Sequence, residues 1–271
     1  MNKRNTILLV LLLLLGIGIL TYPMVSNLVN RFHGSYAIQE FQTRVENADI
    51  TAEREKAVEY NEKIRDSIPV DGFASEQTDA DDSYNGILNF GGGMMGYLQI
   101  PKIDVNLPIY HGTSEEVLAK GVGHLTQSAL PIGGEGNHAV LTGHTGLPSA
   151  ELFNDLTELQ EGDSFYIGVL GEKLTYQVDQ IKVVLPSEGQ DLTAVPGEDY
   201  CTLVTCTPYG INTHRLLVRG HRVETELGET EPSSIILSRQ NYRFLWLIAA
   251  AMALLLIALV IVLNRDISSY N

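Results

Sequence analysis

The two ends of the chain each carry a long apolar stretch without a charged side chain. These stretches lie between Arg4 and Arg31 and between Arg243 and Arg265. A helix needs about 20 apolar residues to cross a hydrocarbon core of ~30 Å, so residues 7–27 and 244–263 are each predicted to form a transmembrane helix. A cleaved signal peptide is the alternative for the first stretch, but no small-residue cleavage site of the A-x-A type follows it.

The flanking charges predict which side of the membrane each segment occupies. Lys3 and Arg4 favour a cytoplasmic N-terminus, although two arginines just before the second stretch oppose this orientation. With two spans, the tails 1–6 and 264–271 then lie in the cytoplasm and the middle of the chain lies outside the cell. The sequence therefore predicts a two-span membrane protein with an extracellular domain.

The extracellular portion is strongly acidic. The whole chain has 18 basic and 33 acidic side chains and a net charge of −15, whereas residues 31–243 alone have 15 − 32 = −17. A nucleic acid needs a basic surface to bind, so this composition excludes it as a partner. Membrane lipid is the partner that the two apolar segments predict.

Composition and the spacing of apolar residues divide the exterior portion of the chain into four parts. Residues 31–69 show helical spacing of apolar positions with mixed charges. Residues 70–95 are rich in Asp, Ser and Gly, which is typical of a functional lid or a disordered linker. Residues 96–223 alternate short β-like runs with Gly and Pro, which predicts a mainly β domain, either a closed barrel or a sandwich. Residues 224–243 are a linker.

The β-rich part contains eight candidate strands and two short helical patterns. The helical patterns cover residues 114–119 and 150–156, with Ser114 and Ser149 as expected N-caps. The candidate strands are 97–100, 107–110, 139–142, 163–167, 173–178, 181–185, 200–205 and 215–219.

The two cysteines, Cys201 and Cys206, fall in one predicted strand. Five residues of strand span about 16 Å and an odd separation directs the side chains to opposite faces, so the two thiols cannot form a disulfide. Each is either a buried structural cysteine or a reactive one. Cys206 is the better candidate nucleophile, because the hairpin after it can return Arg215 to its side and a cation there stabilises a thiolate or an oxyanion.

A nucleophilic cysteine also needs a proton-transfer partner, most often histidine. His144 ends another short strand and has glycines near it on both sides, which leaves room for a substrate backbone. The other histidines are predicted to be structural, with His111 and His124 in turns or packing and His138 solvated. No H-x-x-x-H or C-x-x-C spacing occurs, so neither a metal nor another cofactor is expected.

The motifs around these residues resemble those of the sortases, membrane-anchored cysteine transpeptidases of Gram-positive bacteria. Thr202-Leu-Val-Thr-Cys206 is similar to the T-L-x-T-C signature of the family's nucleophile, Arg215 follows nine residues later as the family arginine does, and Leu141-Thr-Gly-His144 matches the catalytic histidine. Further stretches resemble class C, the pilus-assembling branch. They are 22–27, 96–103, 107–113, 121–125, 130–134 and 146–148.

The resemblance implies a closed sortase-type β-barrel with short helices, preceded by helices and a lid and flanked by two membrane helices. Class C lids place an Asp-Pro-aromatic motif over the active site. The nearest match here is Asp71-Gly72-Phe73, with glycine in place of proline, which leaves the backbone looser. Asp71 is then expected to face Arg215 or Cys206, and Phe73 to cover the pocket. A disordered acidic linker is the alternative.

The resemblance also implies an activity. Cys206 attacks an L-P-x-T-G-like sorting signal to form a thioacyl enzyme, Arg215 stabilises the oxyanion, and His144 exchanges protons with the leaving and attacking amines. The acceptor implied by class C is a lysine of a pilin subunit. The alternatives are transfer to the peptidoglycan crossbridge, a cell-surface cysteine hydrolase, or a binding module in which Cys206 only packs. A papain-like hydrolase is disfavoured, because its cysteine precedes its histidine.

Overall fold

The computed structural model describes residues 3–67, 69, 73, 82–224 and 250. Eight β-strands in this part of the chain close into a barrel, as predicted. The strands are β1 (Met94–Ile100), β2 (Val105–His111), β3 (Val122–His124), β4 (Asn137–Thr142), β5 (Ser164–Val169), β6 (Glu172–Val184), β7 (Asp199–Thr207) and β8 (His214–Val223).

The strands follow the order β1-β2-β3-β4-β7-β8-β6-β5 around the barrel. Two neighbouring pairs, β2 with β3 and β4 with β7, are parallel, and the others are antiparallel. The parallel pair of β4 and β7 brings together segments about 60 residues apart in the chain. Closure leaves no sheet edge to be covered, and it sets the candidate residues on neighbouring strands.

Local patterns predicted most elements but not all of them. Strand β3 was not expected, and the two candidate strands 173–178 and 181–185 form one long β6 with a register shift between Val178 and Gln180. Helix α4 (Glu115–Leu118) begins after Ser114, whose side chain accepts a hydrogen bond from the Val117 amide at 3.3 Å. The second helical pattern was misplaced, because the observed 3₁₀ turn, Asn154–Glu158, begins after Phe153 rather than after Ser149.

Three helices precede the barrel: α1 (Lys3–Glu46), α2 (Ile50–Ile64) and α3 (Asp82–Gly86). The end of α1 packs Ile38, Phe41 and Val45 against Tyr97 of β1. Helix α2 is fastened through Asn61, whose amide group accepts from the Leu130 N–H at 2.7 Å and donates to the Leu130 carbonyl at 3.2 Å. The end of α1 and helix α2 therefore pack on the outside of the barrel.

The apolar beginning of α1 is the candidate membrane anchor. Up to Tyr22 it belongs to a separate compact unit from Pro23–Gly228, which contains the barrel. The stretch Leu11–Glu46 contains an 18-residue window of mean hydropathy 1.9, none of it buried by protein. Its length and composition are compatible with membrane anchoring. The second predicted span, residues 244–263, and the tail 264–271 lie outside the described residues apart from residue 250.

The barrel wall separates two sets of side chains, because successive residues of a strand point to opposite faces. Leu141 of β4, Leu203 of β7 and Val218 of β8 belong to the core inside the barrel. Val140, Val204 and Leu217, each one residue away, belong to a smaller apolar cluster on the outer face. The outer face of β4, β7 and β8 is thus a second packed surface, and the candidate residues lie at its end.

Candidate active site

Cys206 and Arg215 lie directly opposite each other on neighbouring antiparallel strands. The register of β7 with β8 pairs Cys206 with Arg215, and side chains at such positions have Cβ atoms about 4.5–5.5 Å apart. Cys206 is 9% exposed. The Arg215 guanidinium is held from its own side by Nη1, which donates to the carbonyls of Asn212 at 3.2 Å and His214 at 3.1 Å.

His144 approaches this pair from the other neighbour of β7. Parallel β4 and β7 pair Thr142 with Val204, so two further residues along each chain bring His144 level with Cys206. The loop is fastened on either side of the histidine, because Gly143 N–H donates to the Val204 carbonyl at 3.0 Å and Phe153 N–H donates to the His144 carbonyl at 3.1 Å. The register of three strands therefore assembles an imidazole, a thiol and a guanidinium in one row.

Two residues beside this row fix its geometry. Thr205, next to Cys206, donates from its hydroxyl to the Gly143 carbonyl at 2.7 Å within the protein interior. Gly143 itself is required for close approach, since a Cβ there would come within 2.6 Å of the Phe153 ring. The β4 loop and β7 are thus tied together immediately before both His144 and Cys206.

The His144 side chain is mostly buried, and its Nε2 atom makes no hydrogen bond within the described part of the chain. The nearest carboxylate oxygen is Oε2 of Glu115, 3.5 Å from Nε2. That separation allows an ion pair when the imidazole is protonated, but the geometry is not that of a hydrogen bond. Because Glu115 is 92% exposed, its attraction is screened by water, and Nε2 has no hydrogen bond that an incoming group must displace.

Phe73 covers the row of candidate residues. Its ring lies 5.4 Å from the His144 ring, centre to centre, and the Arg215 guanidinium carbon lies 5.0 Å from the centre of the same ring. Phe73 also packs on the outer apolar cluster. The class C resemblance implied that Phe73 covers the pocket, and Asp71, the other lid residue that it implied, lies outside the described residues.

A groove with a cavity volume of about 20 Å³ lies on the outer face of the wall beside this row, and Arg215 is part of its lining. Its floor is formed by β4, β7 and β8, and one wall is the segment 184–192 after β6. A hydrogen bond of 2.9 Å from the Leu185 amide to the Glu188 carboxylate shapes that segment. Most of the lining is apolar, with Thr142, Glu188 and Arg215 among the polar residues. The lining includes Leu125, Val140, Val184, Leu192, Val204 and Leu217.

The sequence motifs do not predict this groove. The wall segment 184–192 has no motif that marks it as part of a site, and its partners are distant in the chain. The available signal was the apolar character of both faces of three strands, since Val140, Val204 and Leu217 alternate with core residues where a solvated outer face would be polar. Apolar residues on both faces of a strand indicate that another part of the protein covers its outer face.

Cys201, His124 and His138 are buried structural residues. Cys201 is completely buried inside the barrel, where burial raises the pKa of its thiol well above the ordinary value and the Asp199 carboxylate adds to the shift. Burial lowers the pKa of both His124 and His138 to about 4. The prediction that His138 is solvated was wrong: it is 2% exposed, with Nε2 2.7 Å from the Thr202 hydroxyl.

This arrangement supplies the groups that acyl transfer through a thiol requires. They are a nucleophile, a proton-transfer group and a fixed cation for developing negative charge, and an apolar groove lies beside them. No cluster of three or more His, Cys, Asp or Glu side chains suited to a metal ion occurs among residues 3–67 and 82–224 and the few other described positions.

Comparisons with known proteins agree with this geometry. The family model described as the sortase domain matches residues 98–223. Sortase A of Streptococcus agalactiae is 26% identical over 239 residues, which are 87% of this chain and 91% of that protein.

Solved structures give a closer match. Sortase C-1 of Actinomyces oris is 45% identical with a TM-score of 0.62, covering 65% of this chain and 99% of that one. The pilus-related sortase C of Group B Streptococcus is 43% identical with a TM-score of 0.64, covering 69% and 96%. The chain therefore belongs to the sortase family of cysteine transpeptidases, and its structural neighbours are sortases of class C.

Proposed function

We propose that this sortase polymerises pilin subunits, with Cys206 as the nucleophile that cleaves an L-P-x-T-G-like sorting signal. The Cys206 thiolate attacks the threonine carbonyl carbon, and Arg215 stabilises the oxyanion that develops. The carbon–nitrogen bond to the glycine then breaks, and protonated His144 gives its proton to the leaving amine. The product of this step is a thioester between the signal threonine and Cys206.

The second step transfers the acyl group to an amine. A pilin lysine attacks the thioester carbonyl, the carbon–sulfur bond breaks, and the Cys206 thiolate is restored. Neutral His144 accepts the proton that the attacking nitrogen loses, which returns both groups to their starting states. The new bond is an isopeptide bond between two subunits, and no metal or organic cofactor takes part.

The main support is the row formed by His144, Cys206 and Arg215, the last of which also lines the outer groove. An extended peptide in the groove would present its scissile carbonyl to the thiol beside Arg215. The choice of a pilin as substrate and acceptor draws on the similarity to a pilus-related sortase C. Transfer to peptidoglycan would use the same first step and a different amine.

In the same proposal Phe73 is a lid that must move before a sorting signal binds. Its ring lies against His144 and Arg215 and packs on the apolar lining of the groove, so ring and peptide compete for one surface. Asp71 is proposed to assist closure by facing Arg215 or Cys206, as the class C resemblance implies.

We also propose that the catalytic domain lies outside the cell, held by the apolar beginning of α1 and by a second span at residues 244–263. This placement keeps Cys206 near the membrane, where secreted subunits still held by their own apolar tails would arrive. The acidic exterior would favour approach of a lysine-bearing acceptor. Both tails are then cytoplasmic.

The proposal is tested with the purified full chain in detergent or nanodiscs. Intact-mass spectrometry after addition of a synthetic L-P-x-T-G peptide should show the acyl enzyme in the wild type and not in Cys206→Ala. Cys201→Ala is the matched control, because that thiol lies inside the barrel and its loss should leave acylation in place. An acyl adduct in Cys206→Ala would refute the assignment of the nucleophile.

The acceptor is tested on the acyl enzyme already formed. A lysine-bearing pilin fragment and a crossbridge peptide amine are supplied at equal concentration, and the products are resolved by mass. Pilin polymerisation predicts that the lysine product dominates. If the crossbridge product dominates, the enzyme is an anchoring sortase and the pilin proposal fails.

A further inference from the structure

Two buried side-chain atoms in the described part of the chain make no hydrogen bond: Nε2 of His144 and the hydroxyl oxygen of Thr142. Both belong to the end of β4 and its loop. Buried polar groups are nearly always hydrogen-bonded, and an exception often marks a functional group. The His144 atom has a place in the proposed mechanism, whereas the Thr142 hydroxyl has none so far.

Thr142 lies among apolar side chains on the outer face of the barrel wall. The residue is completely buried and lines the groove. On the outer face it stands in one row with Val204 of β7 and, through that strand, Leu217 of β8. These neighbours are apolar and offer the hydroxyl no hydrogen bond, and the polar groove residues Glu188 and Arg215 make none to it either.

Other buried threonines of the same wall show that the fold can satisfy such hydroxyls. The Thr202 hydroxyl lies 2.7 Å from Nε2 of His138, and the Thr205 hydroxyl donates to the Gly143 carbonyl at 2.7 Å. Of these three threonines, only Thr142, which lines the groove, has no hydrogen-bond partner. Leaving a buried hydroxyl unpaired disfavours the folded state by roughly tenfold in the equilibrium constant.

The distance along the strand indicates what the hydroxyl can reach. Thr142 precedes His144 by two residues, which is about 7 Å of strand. A peptide whose scissile carbonyl lies at Cys206 and whose preceding residues lie in the groove would pass over Thr142 within its first few residues. Each residue of that peptide carries an N–H and a C=O that must be paired once the groove excludes water.

We propose that the Thr142 hydroxyl binds the main chain of the sorting signal, at a peptide group just before the scissile threonine. This inference rests on the proposed function and adds a substrate-binding residue to it. It also explains competition with the lid: the Phe73 ring offers no hydrogen bond to the hydroxyl, whereas a peptide does. Thr142 therefore favours the open, peptide-bound state over the closed one.

The test compares Thr142→Val, which keeps the shape and removes the hydroxyl, with Thr142→Ser, which keeps the hydroxyl. In the full-length enzyme, Thr142→Val should lower kcat/KM for a synthetic sorting peptide by about tenfold, and Thr142→Ser should keep it within about threefold. Equal kcat/KM for Thr142→Val and the wild type would overturn the proposal.

The unfolding midpoint separates substrate binding from a structural role. The Thr142 hydroxyl makes no hydrogen bond in the protein without substrate. The variant Thr142→Val, which lacks this hydroxyl, should therefore unfold at the same temperature as the wild type or higher. Thr202→Val, which loses a bonded hydroxyl, should unfold lower. Loss of activity in Thr142→Val together with a lowered midpoint would assign Thr142 a structural role and overturn the proposal.

The partner on the peptide is found with substrates in which one amide at a time is replaced by an ester. The replacement that slows acylation of the wild type should have no further effect on Thr142→Val. If every ester slows both enzymes equally, the main-chain contact is refuted. Failure of the proposed function is distinguishable, because the wild type would then form no acyl enzyme, whereas equal acylation of wild type and Thr142→Val removes this inference alone.

Discussion

Replacing Phe73 by alanine should activate the enzyme toward small substrates, because the phenyl ring stabilises the closed groove. The ring is partly buried on the outer apolar cluster, and half of the benefit of burying a phenylalanine is about 1–1.5 kcal/mol. The contact with the Arg215 guanidinium at 5.0 Å adds about 0.5–1 kcal/mol. The sum is about 2 kcal/mol, which corresponds to about 30 closed molecules for each open one.

The apparent affinity for a ligand falls in proportion to the fraction of protein that can bind it. Phe73→Ala should therefore raise kcat/KM for a fluorogenic sorting peptide by about 10- to 30-fold. The rate at which a small uncharged reagent alkylates Cys206 should rise in parallel, since the same ring covers the row. Both rates are measured on the full chain under identical conditions.

Phe73→Tyr is the matched control, because it keeps the ring and should stay close to the wild type. The unfolding midpoint of Phe73→Ala should fall by about 4–8 °C, because the closed native state loses about 2 kcal/mol, and a single cooperative transition checks that the fold is intact. An unchanged or lower kcat/KM in Phe73→Ala, with the fold intact, would show that the ring does not restrain the site.

Two further predictions concern the site loop and the barrel. Gly143→Ala places a Cβ 2.6 Å from the Phe153 ring, so kcat should fall at least tenfold and the free energy of unfolding by about 1–3 kcal/mol; wild-type kinetics would contradict this. Burial lowers the pKa of His124 and His138 to about 4 in the folded protein. Between pH 7.5 and 5.5 both imidazoles are therefore protonated in the unfolded chain but not in the folded one. The free energy of unfolding should fall over this range by about 1.3 kcal/mol for each histidine. Urea unfolding of wild type and His138→Gln checks the slope.

The strand period explains why so much of the candidate site could be predicted from sequence. An odd separation of Cys201 and Cys206 predicted opposite faces, and the structure has Cys201 in the core and Cys206 on the outer face beside Arg215. The turn after Cys206 predicted a hairpin that returns Arg215, and the register pairs the two residues. These inferences depend only on neighbours in the chain, where alternation and turn residues are informative.

Features that depend on distant pairing could not be predicted in the same way. His138 was expected to be solvated, but its hydroxyl partner Thr202 is 64 residues away and is reached only through the parallel pairing of β4 and β7. Strand β3 has three residues, too few for a periodic signal. The groove wall at 184–192 likewise could not be predicted, because it faces residues of β4, β7 and β8 that are distant in the chain.

The register of β7 is constrained from both sides of the barrel wall, and this links stability to function. A slip by one residue would exchange the faces of the whole strand. Leu203 would leave the core, and Cys206 would turn into the barrel, away from Arg215. Burial of one face therefore selects the same pairing that builds the site on the other. A fold of this kind can place an unpaired Thr142 hydroxyl at the groove, because the core behind the strand holds it there.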